Sequence, residues 1–263
     1  MRNRWITVGL IIVFGILLVA CGGQSGTENN KSDLERIKEE GIIRVACEGT
    51  YPPFNYFDEN NELTGFDVEI AKELGKRLGV EVEFVTTTWD GIIAGLNAKK
   101  YDMIVASMAI TEKRAEAVDF SIPYYRSGGY LVVHEDNGTI NGIDDLKGKV
   151  VGASIGSTYH DRAEQIEGLK EVKTYTSDQE AIDDLVTGRV DAVITDRIVG
   201  LFARMKGKPV KLVGDMLWEE RMGIAFRKDS DELREAVNEA LNQMFEDGTY
   251  ERISMKWFGA DIR

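Results

Sequence analysis

Between residues 42 and 227, short β-rich apolar runs alternate with amphipathic helical segments, and this alternation confines the chain to open α/β sheet with helices on both faces. Strand-like runs fall at 42–47, 82–85, 102–106, 150–153, 172–175, 190–195 and 223–227. Helical periodicity fills the intervals at 67–78, 90–99, 112–118, 158–166, 178–187 and 197–206. The units form two sets, the first ending near Tyr125 and the second running from about Gly142 to Val213. Tyr125-Arg126-Ser127-Gly128-Gly129 joins them, and its glycines are expected to absorb a backbone rotation. Two further helical segments, 231–245 and 249–257, flank Asp247-Gly248. Open α/β sheets bind ligands beyond the carboxyl ends of their strands, so two facing sheets place one site in the cleft between lobes.

The first residues do not share this pattern. Arg2 and Arg4 precede an apolar run over 5–20 that is shorter than the ~20 residues a helix needs to cross a bilayer. Residues 1–20 are therefore read as a signal peptide. Its ending, Leu18-Val19-Ala20-Cys21, resembles the bacterial lipobox, which implies cleavage before Cys21 and acylation of its sulfur. Several acyl chains together make a stable membrane tether. Residues 21–31, rich in Gly, Ser, Asn and Thr, read as a flexible leash. Ser32-Asp33-Leu34-Glu35 is a capping box, and Gly41 is placed to stop the short helix it starts.

Loss of residues 1–20 removes two of the 32 basic residues and none of the 45 acidic ones, moving the net charge from −13 to about −15. Nucleic acid is excluded as a partner. With Cys21 acylated, Cys47 has no intramolecular disulfide partner, and its place in an apolar run reads as a buried structural thiol. His134 and His160 are the only histidines and no carboxylate cluster has ligand spacing, so neither a metal nor a cofactor is expected.

Several strand ends offer groups suited to part of a zwitterion. Ser107 to Arg114 follow one strand and open a helix with Thr111 as N-cap, so that Arg114 presents its fork to a carboxylate and Ser107 adds a hydroxyl. Gly156-Ser157-Thr158 starts a second helix with its N–H groups toward an anion. Asp196, ending the run 190–195, suits either an ammonium group or the N-cap of the next helix. Tyr51 and Trp89 offer ring faces to a flat or cationic side chain, and Glu48 offers a carboxylate to the far end of a ligand.

The motifs Glu-Gly-Thr-Tyr-Pro-Pro-Phe at 48–54, Leu-Thr-Gly-Phe-Asp-Val-Glu at 63–69 and Trp-Asp-Gly at 89–91 occur in order. They are followed by Ile-Thr-Glu-Lys-Arg at 110–114, Val-Asp-Phe-Ser at 118–121, Gly-Ser-Thr at 156–158, Asp-Gly-Thr-Tyr at 247–250 and Lys-Trp-Phe-Gly at 256–259. Over residues 32–263 the chain resembles bacterial solute-binding protein family 3, the polar amino acid receptors of ATP-driven importers. The resemblance implies a two-lobe periplasmic binding protein fold of type II. It assigns residues 32–126 and 222–263 to the first lobe and 127–221 to the second.

It further implies that Arg114 and Thr158 hold the ligand carboxylate, that Asp196 holds the α-ammonium, and that Tyr51 and Trp89 stack on the side chain. Glu48 stands where relatives often carry an aspartate. Ala106-Ser107-Met108-Ala109 offers fewer hydroxyls than some relatives have there. Cystine or a basic amino acid is the implied ligand. The implied partners are a permease and ATPase complex and, through Cys21, the outer face of the cell membrane, with the receptor itself a monomer. A secreted cyclohexadienyl dehydratase is the alternative on the same fold, with Glu48 as its general acid.

Overall fold

Helix α1 (Asp33–Glu40) begins at the expected capping box, in which the Ser32 hydroxyl accepts the Glu35 N–H and the Glu35 carboxylate accepts the Ser32 N–H. This computed structural model describes residues 31–263, which form one unit. The signal peptide, Cys21 and nearly all of the leash lie outside the described residues.

After α1 come β1 (Ile42–Cys47) and a small three-stranded sheet of β2 (Thr50–Tyr51), β3 (Asn55–Phe57) and β4 (Leu63–Thr64). Helix α2 (Phe66–Leu78), strand β5 (Glu81–Thr86), a tight turn at Trp89–Gly91, α3 (Ile92–Asn97) and β6 (Met103–Ala109) complete a first set, in which β5 and β6 flank β1 in parallel. Short α4 (Glu112–Ala115) and β7 (Asp119–Phe120) lead to β8 (Tyr125–His134). The second set repeats the first: β9 (Val150–Ser154), α5 (Thr158–Ala163), β10 (Glu171–Tyr175), α6 (Asp178–Val186) and β11 (Ala192–Asp196), with β10 and β11 flanking β9 in parallel. Helix α7 (Arg197–Met205), the long β12 (Val210–Phe226), α8 (Asp231–Glu246) and α9 (Thr249–Phe258) end the chain.

Both parallel trios belong to one hydrogen-bonded sheet of order β10-β9-β11-β8-β12-β6-β1-β5. Strands β8 and β12 make this possible by running antiparallel to each other between the trios. Residues 125–129, expected to be a connecting segment, are instead the first half of β8, and β12 begins at Val210 rather than near Gly223. The glycines of the segment allow the two strands to approach closely. A Cβ on Gly128 would lie 2.2 Å from the Trp218 carbonyl, and one on Gly129 would lie 2.6 Å from the Trp218 ring.

The largest apolar cluster runs through both trios, each trio adds a smaller cluster of its own, and α8 and α9 return to pack on α2. Phe54, Phe66, Tyr124 and Tyr125 are fully buried and joined by stacked and edge-to-face ring contacts with centroids 5.1–6.3 Å apart, with Phe258 of α9 closing the cluster 5.0 Å from Phe66. Burial of each such side chain contributes roughly 1.5–3 kcal/mol. Cys47 is fully buried in the first trio, and burial pushes its thiol up to about 12, so it packs as an inert group.

Candidate functional site

The carboxyl ends of the two trios face one cavity holding about 340 Å³ of atom-free space. Glu48 lines it from the end of β1, Trp89 from the turn after β5, Ser107 from β6, and Arg114 from α4. Thr158 lines it from the start of α5, and Tyr51 from β2. Six of the seven binding residues read from the sequence thus meet at one surface. Asp196 stands behind it.

Arg114 is placed by the cap expected for it, since the Thr111 hydroxyl accepts its N–H at 3.2 Å. Its guanidinium donates to the Ala109 carbonyl at 2.9 Å and, across the cleft, to the Gly156 carbonyl at 3.3 Å. The same group lies 5.1 Å from the centroid of Trp89, so one face of that ring is already covered. Tyr51 likewise stacks one face on Phe54, at 5.4 Å and 19°. Burial pulls the Arg114 guanidinium below its usual value, and the Glu220 charge opposes that shift.

Ser107 has a left-handed backbone, φ +53°, and its hydroxyl donates to Asp67 at 2.9 Å. The hydroxyl proton is therefore committed away from the cavity. Asp67, fully buried, also accepts from Asn55 at 2.9 Å and from the Tyr124 hydroxyl at 2.7 Å. Asn55 in turn accepts the N–H groups of Glu48 and Gly49, each at 3.1 Å. One buried carboxylate thereby fixes the loop carrying Glu48 and the strand end carrying Ser107. Burial pushes Asp67 up to about 6, against the three donors that favour its ionised form.

Asp196 is both buried and a helix cap: its Oδ1 accepts from the Ile198 N–H at 2.7 Å and from the Ser127 hydroxyl at 2.9 Å. Its Oδ2 accepts from the Tyr159 hydroxyl at 3.3 Å, and it is Tyr159 that reaches the cavity wall. Burial pushes Asp196 up to about 7. Ser157, rather than Thr158, caps α5 by accepting the His160 N–H at 3.0 Å, which leaves Thr158 at the cavity.

Two acids on the wall were not read from the sequence. Asp178, 5% exposed, opens α6 and accepts the Thr195 hydroxyl, and burial pushes it up to about 6. Its signal was topological, because it follows β10 as Trp89 and Asp90 follow β5 in the first trio. Glu220 lies on β12, in a polar stretch with no strand periodicity, and nothing in the sequence marks it. Glu48 is pushed up to about 8, first by burial and then by the charges of Asp178 and Asp67. The wall therefore carries three carboxyl groups against one guanidinium. Such a surface suits a small molecule bearing a carboxylate and more than one cationic group. Among the described residues no His, Cys, Asp or Glu cluster can hold a metal ion.

The family model of bacterial extracellular solute-binding proteins, family 3, matches residues 43–260. The L-cystine-binding protein TcyJ of Escherichia coli (strain K12) is 40% identical over 232 residues, covering 87% of each chain. Among solved structures, an ancestral arginine-binding protein bound to arginine is 44% identical, with a TM-score of 0.80 over 83% of this chain and 98% of that one. The ancestral amino acid-binding protein AncCDT-1, a precursor of cyclohexadienyl dehydratase, is 39% identical, with a TM-score of 0.82 over 86% of this chain and 100% of that one.

Proposed function

The chain belongs to the bacterial extracellular solute-binding proteins, family 3, and from that premise we propose that it captures one polar amino acid and delivers it to the permease and ATPase complex of an importer. Its α/β architecture is that of the two-lobe amino-acid-binding proteins, the type II periplasmic binding fold. Residues 32–126 with 222–263 are taken as one lobe and 127–221 as the other, a division supported by the two crossing strands. The mature chain is taken to be held at the outer face of the membrane by acylated Cys21.

One observation carries the reading. Arg114 faces the cavity with its donors on two backbone carbonyls and no ion-pair partner among the described residues, and acids surround the remaining space. A ligand carboxylate meets the free guanidinium, and Thr158 stands beside it. Asp196, through Tyr159 and Ser127, sets the negative ground for the α-ammonium, while Glu48 and Asp178 face the side chain. This charge count favours a basic amino acid, because a second carboxylate, as in cystine, would meet the acidic wall. The 40% identity to a cystine-binding protein supports cystine as the second reading.

A melting screen of ligand-stripped protein with L-arginine, L-lysine, L-histidine and L-cystine tests both. A ligand at about 100 times its Kd stabilises the folded state by about 2.7 kcal/mol, an easily read shift. No shift with any of the four would overturn the proposal. The dehydratase alternative rests on the raised Glu48 carboxyl, a suitable general acid. Prephenate or arogenate returned unchanged after long incubation would dismiss it.

A further inference from the structure

Asp67 sits in the first turn of α2, fully buried behind the cavity wall. Three donors converge on its carboxylate. The Asn55 amide and the Ser107 hydroxyl both reach Oδ2 at 2.9 Å, and the Tyr124 hydroxyl reaches Oδ1 at 2.7 Å. The Tyr124 hydroxyl also accepts the Ser107 N–H at 3.0 Å, so Ser107 is held at two points in its left-handed conformation, φ +53°. A non-glycine residue stays in that region only where its surroundings over-determine it. Ser107 of β6 and Tyr124 at the foot of β8 thus fix the direction in which the carboxylate points.

The third donor carries that order outward. An ionised carboxylate only accepts hydrogen bonds, so it draws the NH2 end of Asn55 toward itself and turns the Asn55 side-chain carbonyl the other way. That carbonyl accepts the N–H groups of Glu48 and Gly49, each at 3.1 Å, where the chain leaves β1 for the cavity. With Asn55 reversed, its NH2 would confront two backbone groups that can only donate. The polarity of Asn55, and with it the position of the Glu48 backbone, therefore depends on the charge of Asp67.

We propose that Asp67 is a positioning residue for ligand selection: without touching the ligand, it fixes Glu48 at the wall through Asn55 and so governs which amino acid side chain the cavity accepts. This rests on the amino-acid reading above, in which Glu48 faces the ligand side chain. Loss of the anchor frees the Glu48 loop while leaving Arg114, on another element, with its own cap and carbonyl partners.

Calorimetric titration of wild-type protein, Asp67→Ala, Glu48→Gln and the double variant tests this. Each is titrated with L-arginine, L-lysine, L-histidine, L-cystine and the neutral L-glutamine, and the quantity read is the affinity for the tightest of the first four relative to L-glutamine. Asp67→Ala should shrink that ratio by at least about fivefold, within the range of coupling found inside one hydrogen-bonded network. In the Glu48→Gln background the same substitution should change the ratio by less than about twofold, because the group it acts through no longer carries its charge. A merely structural Asp67 would weaken all ligands alike and leave the ratio intact, and equal shrinkage in both backgrounds would mean that it acts elsewhere; either result overturns the inference. Should Asp67→Ala fail to fold, Asn55→Ala cuts the same link while Ser107 and Tyr124 still hold Asp67, and the same outcomes are read from it. Binding of none of the five by wild-type protein would instead overturn the amino-acid reading itself.

Discussion

Arg114 reaches across the cleft to the Gly156 carbonyl, 3.3 Å from its Nη2 atom, so the residue that faces the ligand carboxylate also joins the two trios. Nearby, Lys113 pairs with Asp161 at 3.2 Å, a largely exposed bridge of small weight. The guanidinium and this bridge thus span the same side of the cleft.

Arg114→Ala should weaken every amino acid ligand by at least ~30-fold, because a desolvated carboxylate without its partner costs roughly 2–5 kcal/mol. Arg114→Lys should restore little, since an ammonium cannot reach carbonyl and carboxylate in one planar fork. Titration calorimetry on the folded variants checks this. Near-native affinity in Arg114→Ala would remove the proposed site.

The acidic groups predict a pH dependence of definite sign. Glu48, Asp196 and Asp178 have folded-state values raised to about 8, 7 and 6, above those of an unfolded chain. A raised acid contributes stability at low pH that is lost as pH climbs through the folded value. Ligand-free protein should therefore melt lower at pH 8 than at pH 5. A basic amino acid reverses the balance by favouring the ionised acids, so L-arginine should bind more tightly across the same window and release protons, visible as a buffer-dependent heat. Constant affinity from pH 5 to 8 would contradict this.

Glu48→Gln should change the ranking of ligands rather than abolish binding, because Glu48 faces the side chain and not the groups common to all amino acids. The basic ligands should lose most. A uniform loss across L-arginine, L-histidine and a small neutral amino acid would place Glu48 elsewhere in the site.

Gly128→Ala should destabilise the fold by at least ~1–3 kcal/mol, because the new Cβ meets a backbone carbonyl at 2.2 Å and neither crossing strand can yield without losing register. Denaturant melts measure this. Binding should fall as well, since Glu220 of the cavity wall lies on the partner strand β12, paired with Ser127 beside Gly128.

Membrane-extracted protein should have a mass corresponding to a chain that begins at acylated Cys21. Cys21→Ala should move it from the membrane to the soluble fraction. An unmodified product cut at another residue would sink the lipid anchor.

Much of this was legible because it depends on local pattern. The helices over 67–78 and 197–206 and the strand over 42–47 carry clear periodicity and lie within a residue or two of where they were read. Arg114 was legible because Thr111 announces the helix that aims it. The crossing strands were not, since Gly128-Gly129 imitates a turn and the polar stretch before Arg221 hides a strand whose partner lies far away. Glu220 was missed for the same reason: its place at the cavity depends on pairing rather than on its neighbours in the chain.

The pairing of β12 with β6 also governs the order in which the molecule can assemble. Met103 waits for Phe226, so one edge of an entirely buried apolar strand stays bare until the last part of the chain arrives. Contacts this distant in sequence make folding slow, and an unpaired apolar edge is prone to join another chain. A nascent copy is therefore expected to remain threadable while it is exported, and to need shielding until its final strand emerges.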